Sequence, residues 1–373
     1  MATAVSSVEF KNELYIFVSV FIYGFIVQLL WVSPSETLDK LMWTNQIQYF
    51  LTQDPRMFDF YAAYAHPGTT LVALGSLLHI LLEISYRQAL LLSMSLLIAG
   101  ASAACAVICA RLCPGSLWWV ATAFTLLFSR FHICSTPPTS VVLPFLVLIV
   151  LVTWDLVVKP PSSLFGRCFL WGGVVGVSAA TRVDATALFG VPMLMIVLVH
   201  YGWRILLPIA VGVSLSFYVC DPFLWFMPMQ HLADLLHKFS IHYEGYLLPS
   251  TISVEEWLLT IPLALVSFIW FAVITVRKTP SQVVPPRIIW ALLVLTILAL
   301  WVILTSSYQS IRYIYPLLIV WEVLFPLLLL EKFSPSREST VAGADRHINA
   351  TQFWVLGAVV ATQVLAYVLS API

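Results

Sequence analysis

Charged residues are scarce in this chain. Only 10% of its 373 residues are Asp, Glu, Lys or Arg, and 61% are hydrophobic, whereas a soluble domain carries about 25% charged residues. This composition excludes an ordinary soluble protein and indicates an integral membrane protein. The 18 basic and 18 acidic residues cancel, so nothing in the charge balance predicts binding to nucleic acid or to a strongly anionic surface.

Three further features are missing. The six cysteines lack the spacing of a zinc site or a disulfide framework, and we expect them to pack as small apolar side chains. No small-residue cleavage site interrupts the first apolar span, which runs on through Trp31, so we expect an uncleaved anchor. No internal repeat of the kind found in many transporters is visible.

Apolar segments recur along the whole chain at close to the ~20 residues needed to cross a bilayer. We therefore predict an all-α polytopic membrane protein, with 1–373 forming one domain. It should contain about eleven or twelve spans, some of them short. The predicted spans are 13–33, 67–86, 88–110, 116–131, 140–158, 168–181, 183–201, 204–220, 256–277, 287–305, 312–331 and 352–371.

Basic residues mark the segments that we expect to be cytoplasmic. They cluster between Arg277 and Arg287, and again in the polar linker 332–350, and the positive-inside rule places such segments in the cytoplasm. The two long polar segments, 33–66 and 221–255, then share the outer face if Met1 is cytoplasmic. Both mix charge with aromatic residues, which favours interfacial helices that enclose a cleft at the membrane surface.

The first outer loop carries two acidic candidates for catalysis. Glu36 and Asp39 are three residues apart, a spacing that puts both on one face of a helix. An ionised carboxylate at this boundary could accept a proton from a nucleophile. The alternative is that both residues solvate the loop, with Ser35 capping a short helix.

His66 stands where the loop turns into the next span, just before Pro67 and Gly68. It could donate to a phosphate or a sugar hydroxyl, beside a helix N-terminus whose dipole favours anions. The alternative is plain helix initiation, because proline is common in the first helical turn.

Arg182 and Asp184 interrupt hydrophobic sequence between two short spans. Charged residues at membrane depth are costly, so they suggest function. A spacing of two does not bring them together on one helix, and we expect them at a turn between helices. Substrate binding and a structural role remain equally open.

Further polar candidates lie at other span ends. Arg130 and Arg312 could each clamp a phosphate or extend toward the lipid headgroups. Around Arg312 we also expect substrate contacts from Tyr308, Gln309 and Tyr313, which occur at helical spacing. In the second outer loop His242 is a candidate contact; with His231 and His237 it could suggest a metal site, but the irregular spacing favours substrate contact or a solvated helix.

These landmarks, in this order, resemble the GT-C class of membrane glycosyltransferases, and within it the protein-mannosyltransferase-like family 39 and its aminoarabinose-transferase relatives. The resemblance covers most of the chain. It rests on the acidic first loop and on four motifs: His66-Pro67-Gly68, Ser129-Arg130-Phe131, Asp221-Pro-Phe-Leu-Trp225 and Arg312-Tyr313-Ile-Tyr-Pro316.

The resemblance implies a GT-C-like bundle and a specific reaction. Such enzymes move a sugar from a polyprenyl-phosphate carrier to an acceptor hydroxyl with inversion, at the outer or lumenal face of the plasma membrane or endoplasmic reticulum. By position Asp39 resembles their general base, with Glu36 in reserve. Arg130 and Arg312 resemble the cations that stabilise the departing polyprenyl phosphate. A divalent metal is possible as a cofactor.

Two other functions remain open. Asp155, His79 and Glu322, which lie within predicted spans, favour a secondary transporter, although most polar residues lie in the outer loops. A catalytically inactive subunit of the same class is the third possibility. Lys40 follows Asp39 where the family often has Glu, and Gln309 replaces a lysine that is common before the Arg-Tyr pair.

Overall fold

The structure is a computed structural model, and it describes most of the predicted spans. The described residues are 2–31, 38–57, 68–128, 137–159, 163–226, 284–305 and 311–333, with single residues at 228, 229, 231, 233, 269, 273 and 357. The predicted spans 256–277 and 352–371, and the linker 332–350 beyond Phe333, fall almost wholly outside them.

Every regular element within these ranges is a helix. Apart from single turns at Pro55–Met57, Trp203–Ile205 and Phe223–Phe226, the helices are α1 (Ala2–Trp31), α2 (Leu38–Thr52), α3 (Thr69–Leu82), α4 (Tyr86–Leu112), α5 (Trp118–Leu127), α6 (Pro137–Val158), α7 (Leu164–Thr181), α8 (Val183–Tyr201), α9 (Leu206–Cys220), α10 (Pro286–Thr305) and α11 (Ile311–Phe333).

The helices agree with the predicted spans wherever both can be compared. Seven described helices are long and apolar enough to cross a membrane, and α3, α5 and part of α11 are shorter apolar helices. Most helix ends lie within four residues of the predictions, and the largest difference is at α1, which begins at Ala2 and not at residue 13. Helix α5 ends at Leu127, four residues before its predicted end, and α3 begins at Thr69 with Gly68 as its N-cap, so Pro67 precedes the helix.

Helix α6 is the centre of the bundle. In the most apolar stretch of α6, 83% of the residues are buried. In the corresponding stretches of α1 and of the segment Trp203–Cys220, 22% are buried. Helix α6 is apolar on all sides, as expected of a helix surrounded by other helices. The outward faces of α1 and α9 expose large apolar side chains such as Leu30 and Leu207, which is the surface that lipid would cover.

Local capping fixes where two of the helices begin. The Ser85 hydroxyl accepts from the Gln88 backbone N–H at 3.3 Å, and the Gln88 side chain accepts from the Ser85 N–H at 3.0 Å. This reciprocal pair satisfies two donors that the start of α4 would otherwise leave unpaired. At the start of α7, the Ser163 hydroxyl accepts from the Gly166 N–H at 3.2 Å.

Contacts between helices define two ends of the bundle. At one, which we call the threonine end, the Thr69 hydroxyl of α3 donates to the Ala180 carbonyl of α7 at 3.0 Å. At the opposite end, Arg111 of α4 forms an ion pair with Glu13 of α1 at 2.7 Å. Helix α6 joins the two ends, because Thr139 near its start accepts a hydrogen bond from Arg182, and Asp155 near its end pairs with Arg167 at 3.0 Å.

Glycines allow α7 and α9 to pack closely side by side. A Cβ added at Gly172 would lie 2.3 Å from the Ile209 carbonyl oxygen, and one at Gly212 would lie 2.2 Å from the Phe169 carbonyl oxygen. Both neighbours are backbone atoms and cannot move aside independently. Small residues that allow close backbone approach are typical of helix contacts in membranes.

Replacing Gly172 by alanine is therefore expected to destabilise the protein. The new methyl group must push α9 away from α7, and overpacking of this kind costs about 1–3 kcal/mol. Thermal unfolding of the purified protein in detergent measures the loss. Gly190→Ala in α8 is the matched control, because its Cβ would meet Val175 Cγ1 at an ordinary 3.7 Å. Equal stability of the two variants would contradict the close packing.

Candidate functional site

The threonine end is organised around Arg182, the residue between α7 and α8. Its backbone is extended, with φ −160° and ψ 101°. Its N–H donates to the Ser178 carbonyl at the end of α7, and its carbonyl accepts from the Thr186 N–H at the start of α8. One extended residue thus breaks the chain into two antiparallel helices and directs its side chain into the bundle.

The Arg182 guanidinium is buried and held from two sides. Its Nε and Nη2 donate to the two carboxylate oxygens of Asp184 at 3.0 and 3.1 Å, and its Nη1 donates to the Thr139 hydroxyl of α6. The Arg182 side chain is 2% exposed, while that of Asp184 is 43% exposed. The sequence spacing of two argued against this pair on a single helix; it forms because Arg182 is extended.

Hydroxyl groups tie the surrounding helices together. Besides the bond from Thr69 to α7, the Thr181 hydroxyl donates to the Val177 carbonyl at 2.8 Å and to the Thr70 hydroxyl at 3.2 Å. Thr69, Thr70 and Thr181 are all buried. Buried hydroxyls at this depth need partners. These bonds join α3 to α7, and the bond from Arg182 to Thr139 joins α6 to the same end.

Helix N-termini add positive potential at the same end. Helices α3 and α8 begin here, and neither N-cap residue provides a side-chain hydrogen bond. Helix α6 also begins here, close to Arg182 through Thr139. Because each N-terminus carries a partial positive charge, the three add positive potential at an end where the Arg182 guanidinium is already paired with Asp184, a residue of the first turn of α8.

Helix α2 lies at the threonine end. The Trp43 ring rests on Gly68 so closely that a Cβ there would lie 2.3 Å from Trp43 Cη2. Lys40, Trp43, Gln46 and Ile47 form the buried face of this helix. A helix is therefore present in the segment 33–66, as expected, and it packs over the start of α3.

A second buried polar pair follows α9. Asp221 is fully buried, and its Oδ2 accepts from His231 Nε2 at 2.8 Å. The other carboxylate oxygen accepts from the Phe223 backbone N–H at 3.2 Å. Both carboxylate oxygens thus have donors, and the pair fixes the start of the second outer segment against the bundle.

The structure describes only part of the predicted site. Arg182 is described in full. Asp39 is the second residue of α2, and Arg312 and Tyr313 are the second and third residues of α11, but their side chains fall outside the described residues. Wholly outside them are Glu36, His66, Arg130, His242, Tyr308 and Gln309.

Sequence reasoning overlooked several residues that build this end. Thr139, Thr69 and Thr70 carry no signal on their own, because threonine is common in apolar spans. Asp221 had a signal, since an acidic residue directly follows an apolar span and precedes a proline. In the sequence it is only the first residue of the motif Asp221-Pro-Phe-Leu-Trp225, and its pairing with His231 depends on tertiary structure.

The intramembrane residues that favoured a transporter have local partners. Asp155 pairs with Arg167 at 3.0 Å and Arg111 at 3.5 Å at the opposite end. Glu322 accepts from the Tyr315 hydroxyl at 3.3 Å. His79 Nδ1 is 2.6 Å from the Ile84 carbonyl oxygen. These contacts place each polar side chain within helix packing, although Oδ1 of Asp155 is buried without a hydrogen-bond partner among the described residues.

No cluster of three His, Cys, Asp or Glu side chains that could hold a metal ion occurs among the described residues. The pair formed by Asp221 and His231 provides two of the ligand types that metals use. His237 and His242, the other histidines of this loop, lie outside the described residues.

Comparison with known proteins identifies the fold. No protein-family model matches the chain, and no curated protein matches it in sequence. Among solved structures, it is similar to the archaeal oligosaccharyltransferase AglB from Archaeoglobus fulgidus, solved in complex with an inhibitory peptide and a dolichol-phosphate. The TM-score is 0.51 at 12% identity, over 97% of this chain and 56% of AglB.

This likeness confirms the predicted fold class, an all-α polytopic membrane protein with a GT-C-like bundle. The chain spans little more than half the length of AglB. At 12% identity the similarity concerns the fold.

Proposed function

We propose that this protein is an integral-membrane glycosyltransferase of the GT-C-like class. It transfers a sugar from a polyprenyl-phosphate-linked donor to an acceptor hydroxyl, with inversion. The observation that carries the proposal is the buried guanidinium of Arg182 at an end where α3, α6 and α8 begin, set in a fold similar to that of an oligosaccharyltransferase solved with a dolichol-phosphate. A mannosyl donor, as in the family that the motifs resemble, is the first candidate.

The electrostatics of the threonine end suit a lipid-borne phosphate. A phosphate brought there on a polyprenyl tail would meet the N-termini of α3, α6 and α8, and it would have to displace Asp184 to reach the buried guanidinium of Arg182. The tail would lie along apolar helices. Such fixed positive groups stabilise charge that develops on a leaving group without reorganising during the reaction. We assign the same role to Arg130 and Arg312.

Asp39 is the proposed general base. It lies in the first turn of α2, where the helix dipole favours an ionised carboxylate. It also precedes Trp43 by four residues, so helical periodicity places it in the same stripe of α2 as a residue that packs on the bundle. Glu36, three residues before Asp39, is the reserve candidate.

The proposed reaction is a single displacement. The acceptor oxygen attacks the anomeric carbon, the bond from that carbon to the phosphate oxygen breaks, and the acceptor proton passes to the Asp39 carboxylate. The polyprenyl phosphate leaves with the bonding electron pair, and attack from the opposite face inverts the anomeric centre. His66, His242, Tyr308, Gln309 and Tyr313 are assigned to sugar and phosphate contacts. No step is assigned to a metal ion.

The distribution of basic residues supports an outward-facing site. The end of α4, the end of α6, the start of α7 and the end of α8 contact one another at the end opposite the threonine end. That end carries four basic residues: Arg111, Lys159, Arg167 and Arg204. By the positive-inside rule this end is cytoplasmic. The threonine end and Asp39 then face the cell exterior, or the lumen if the protein resides in the endoplasmic reticulum.

Reconstitution with a labelled donor tests the proposal. Purified protein in liposomes is supplied with radiolabelled polyprenyl-phosphate mannose and a panel of hydroxyl acceptors: serine and threonine peptides, oligosaccharides and glycolipids. We expect time-dependent release of polyprenyl phosphate and a glycosylated product of inverted configuration by NMR. A photoreactive polyprenyl phosphate should also label the protein. No turnover and no labelling would contradict the proposal and favour the transporter; labelling without turnover would favour an inactive subunit.

A further inference from the structure

Besides its packing over the start of α3, helix α2 makes an aromatic contact with the segment that follows α9. The Phe50 ring near the end of α2 meets the Phe223 ring edge to face, with centroids 5.9 Å apart and an interplanar angle of 77°. Phe223 is the third residue after the end of α9 and is 7% exposed. The first and second outer segments therefore contact each other through this pair.

Phe223 is in turn held by the buried Asp221–His231 pair. The His231 ring lies 5.7 Å from the Phe223 ring, tilted by 30°. Asp221 binds both neighbours, since one of its oxygens accepts from His231 and the other from the Phe223 N–H. The Phe223 ring is thus fixed between His231 and Phe50.

We propose that the Asp221–His231 pair is a latch that positions α2. The latch holds Phe223, and Phe223 holds Phe50, so that α2 and the Asp39 at its start keep one position over the threonine end. Asp221 and His231 act through Phe223 and are positioning residues. The link to sugar transfer rests on the proposed function, but the mechanical coupling between the two outer segments does not.

The physical basis is the cost of leaving a buried charge unpaired. Asp221 is 0% exposed and the His231 side chain 4% exposed. Removing the imidazole leaves a buried carboxylate oxygen without its donor, and movement of the second outer segment toward water relieves that cost. Phe223 belongs to that segment, so Phe50 loses its edge-to-face contact with Phe223.

Hydrogen exchange measured by mass spectrometry on the full-length protein in nanodiscs tests the latch without any assay of activity. For His231→Ala we expect amide exchange in α2 (38–52) to accelerate by about tenfold or more, with α6 and α8 unchanged. His231→Gln, which keeps a side-chain N–H donor, should restore slow exchange. Phe50→Leu should reproduce the acceleration, and serves as the second test if His231→Ala does not fold.

The matched control is His200→Ala. His200 is an exposed histidine at the end of α8, where it contacts the Tyr201 ring, far along the helix from Arg182. The His200→Ala variant should leave amide exchange in α2 unchanged. Unaltered α2 exchange in both His231→Ala and Phe50→Leu would overturn the latch, and so would equal acceleration in every helix, because the pair would then stabilise the bundle as a whole. If α2 is loosened but no transferase activity exists in the wild type, the latch stands and the proposed function fails.

Discussion

Asp39→Asn is expected to abolish most of the sugar transfer while leaving donor binding intact. The amide keeps the size of the side chain but cannot accept the proton of the acceptor hydroxyl. Loss of a general base typically lowers the rate about 10²–10⁴-fold. The measurement is kcat for release of polyprenyl phosphate in liposomes, together with photolabelling by the polyprenyl phosphate probe, which should stay at the wild-type level.

Asp54→Asn is the matched control for this experiment. Asp54 follows α2 in the same loop and pairs with exposed Arg56 at 2.7 Å. The hydrogen bonds from Arg56 hold the pKa of Asp54 below its ordinary value, so it is ionised at neutral pH, and the pair is lost only as the pH falls through that lowered pKa. Equal activity of the two variants would remove Asp39 as the base, and Glu36→Gln would then be the variant to measure.

Arg182→Gln is expected to have the second largest effect, on both donor binding and rate. Removing one charge-stabilising group lowers kcat about 10²–10³-fold in comparable sites. Asp184 is 43% exposed, so water can solvate the carboxylate that remains, and we expect stability to fall by only about 1–3 kcal/mol. Kinetics with the labelled donor, photolabelling and thermal unfolding separate the two effects.

Arg167→Gln provides the control for Arg182. Arg167 also pairs with an aspartate on the bundle, Asp155, but at the opposite end. Its loss should lower stability by a similar amount while sparing activity and labelling. If both variants lose activity in proportion to their stability, or if Arg182→Gln is still labelled like the wild type, Arg182 does not bind the donor phosphate.

A substitution at a hydrogen-bond partner of Arg182, which should have a smaller effect, tests how Arg182 is oriented. Thr139→Val removes the hydroxyl that accepts from Nη1 but keeps the guanidinium and Asp184. An intermediate loss of donor affinity is the expected outcome, because the guanidinium then has fewer groups to orient it. A loss as large as that of Arg182→Gln would assign the effect to Thr139 itself.

Several parts of the fold were predictable because they depend on local composition. Long apolar segments with polar interruptions can only be helices across a bilayer, since lipid cannot satisfy free backbone groups. For this reason each predicted span within the described residues coincides with a helix, and most helix ends lie within four residues of the predicted ones. The exceptions are α1, which begins at Ala2 and not at residue 13, and α3 and α5, which are shorter than a span. The break at Arg182 was also predicted as a turn between helices, because the charged residues there interrupt the apolar sequence.

Other parts depended on contacts between distant residues. The pairing of Arg182 with Asp184 required an extended backbone at one residue, and its contact with Thr139 spans 43 positions of sequence. The Asp221–His231 pair and the contact of Phe50 with Phe223 likewise join separate segments. No local pattern encodes these contacts.

The sequence by itself determined that this protein is a membrane-embedded helical bundle, and it singled out Arg182 as a charged residue in an apolar setting. Only the tertiary structure decided that threonines from three helices and three helix N-termini surround that residue. The reason is physical: apolar length and charge scarcity act residue by residue along the chain, whereas burial of a guanidinium is tolerable only once distant helices have brought it a carboxylate and a hydroxyl.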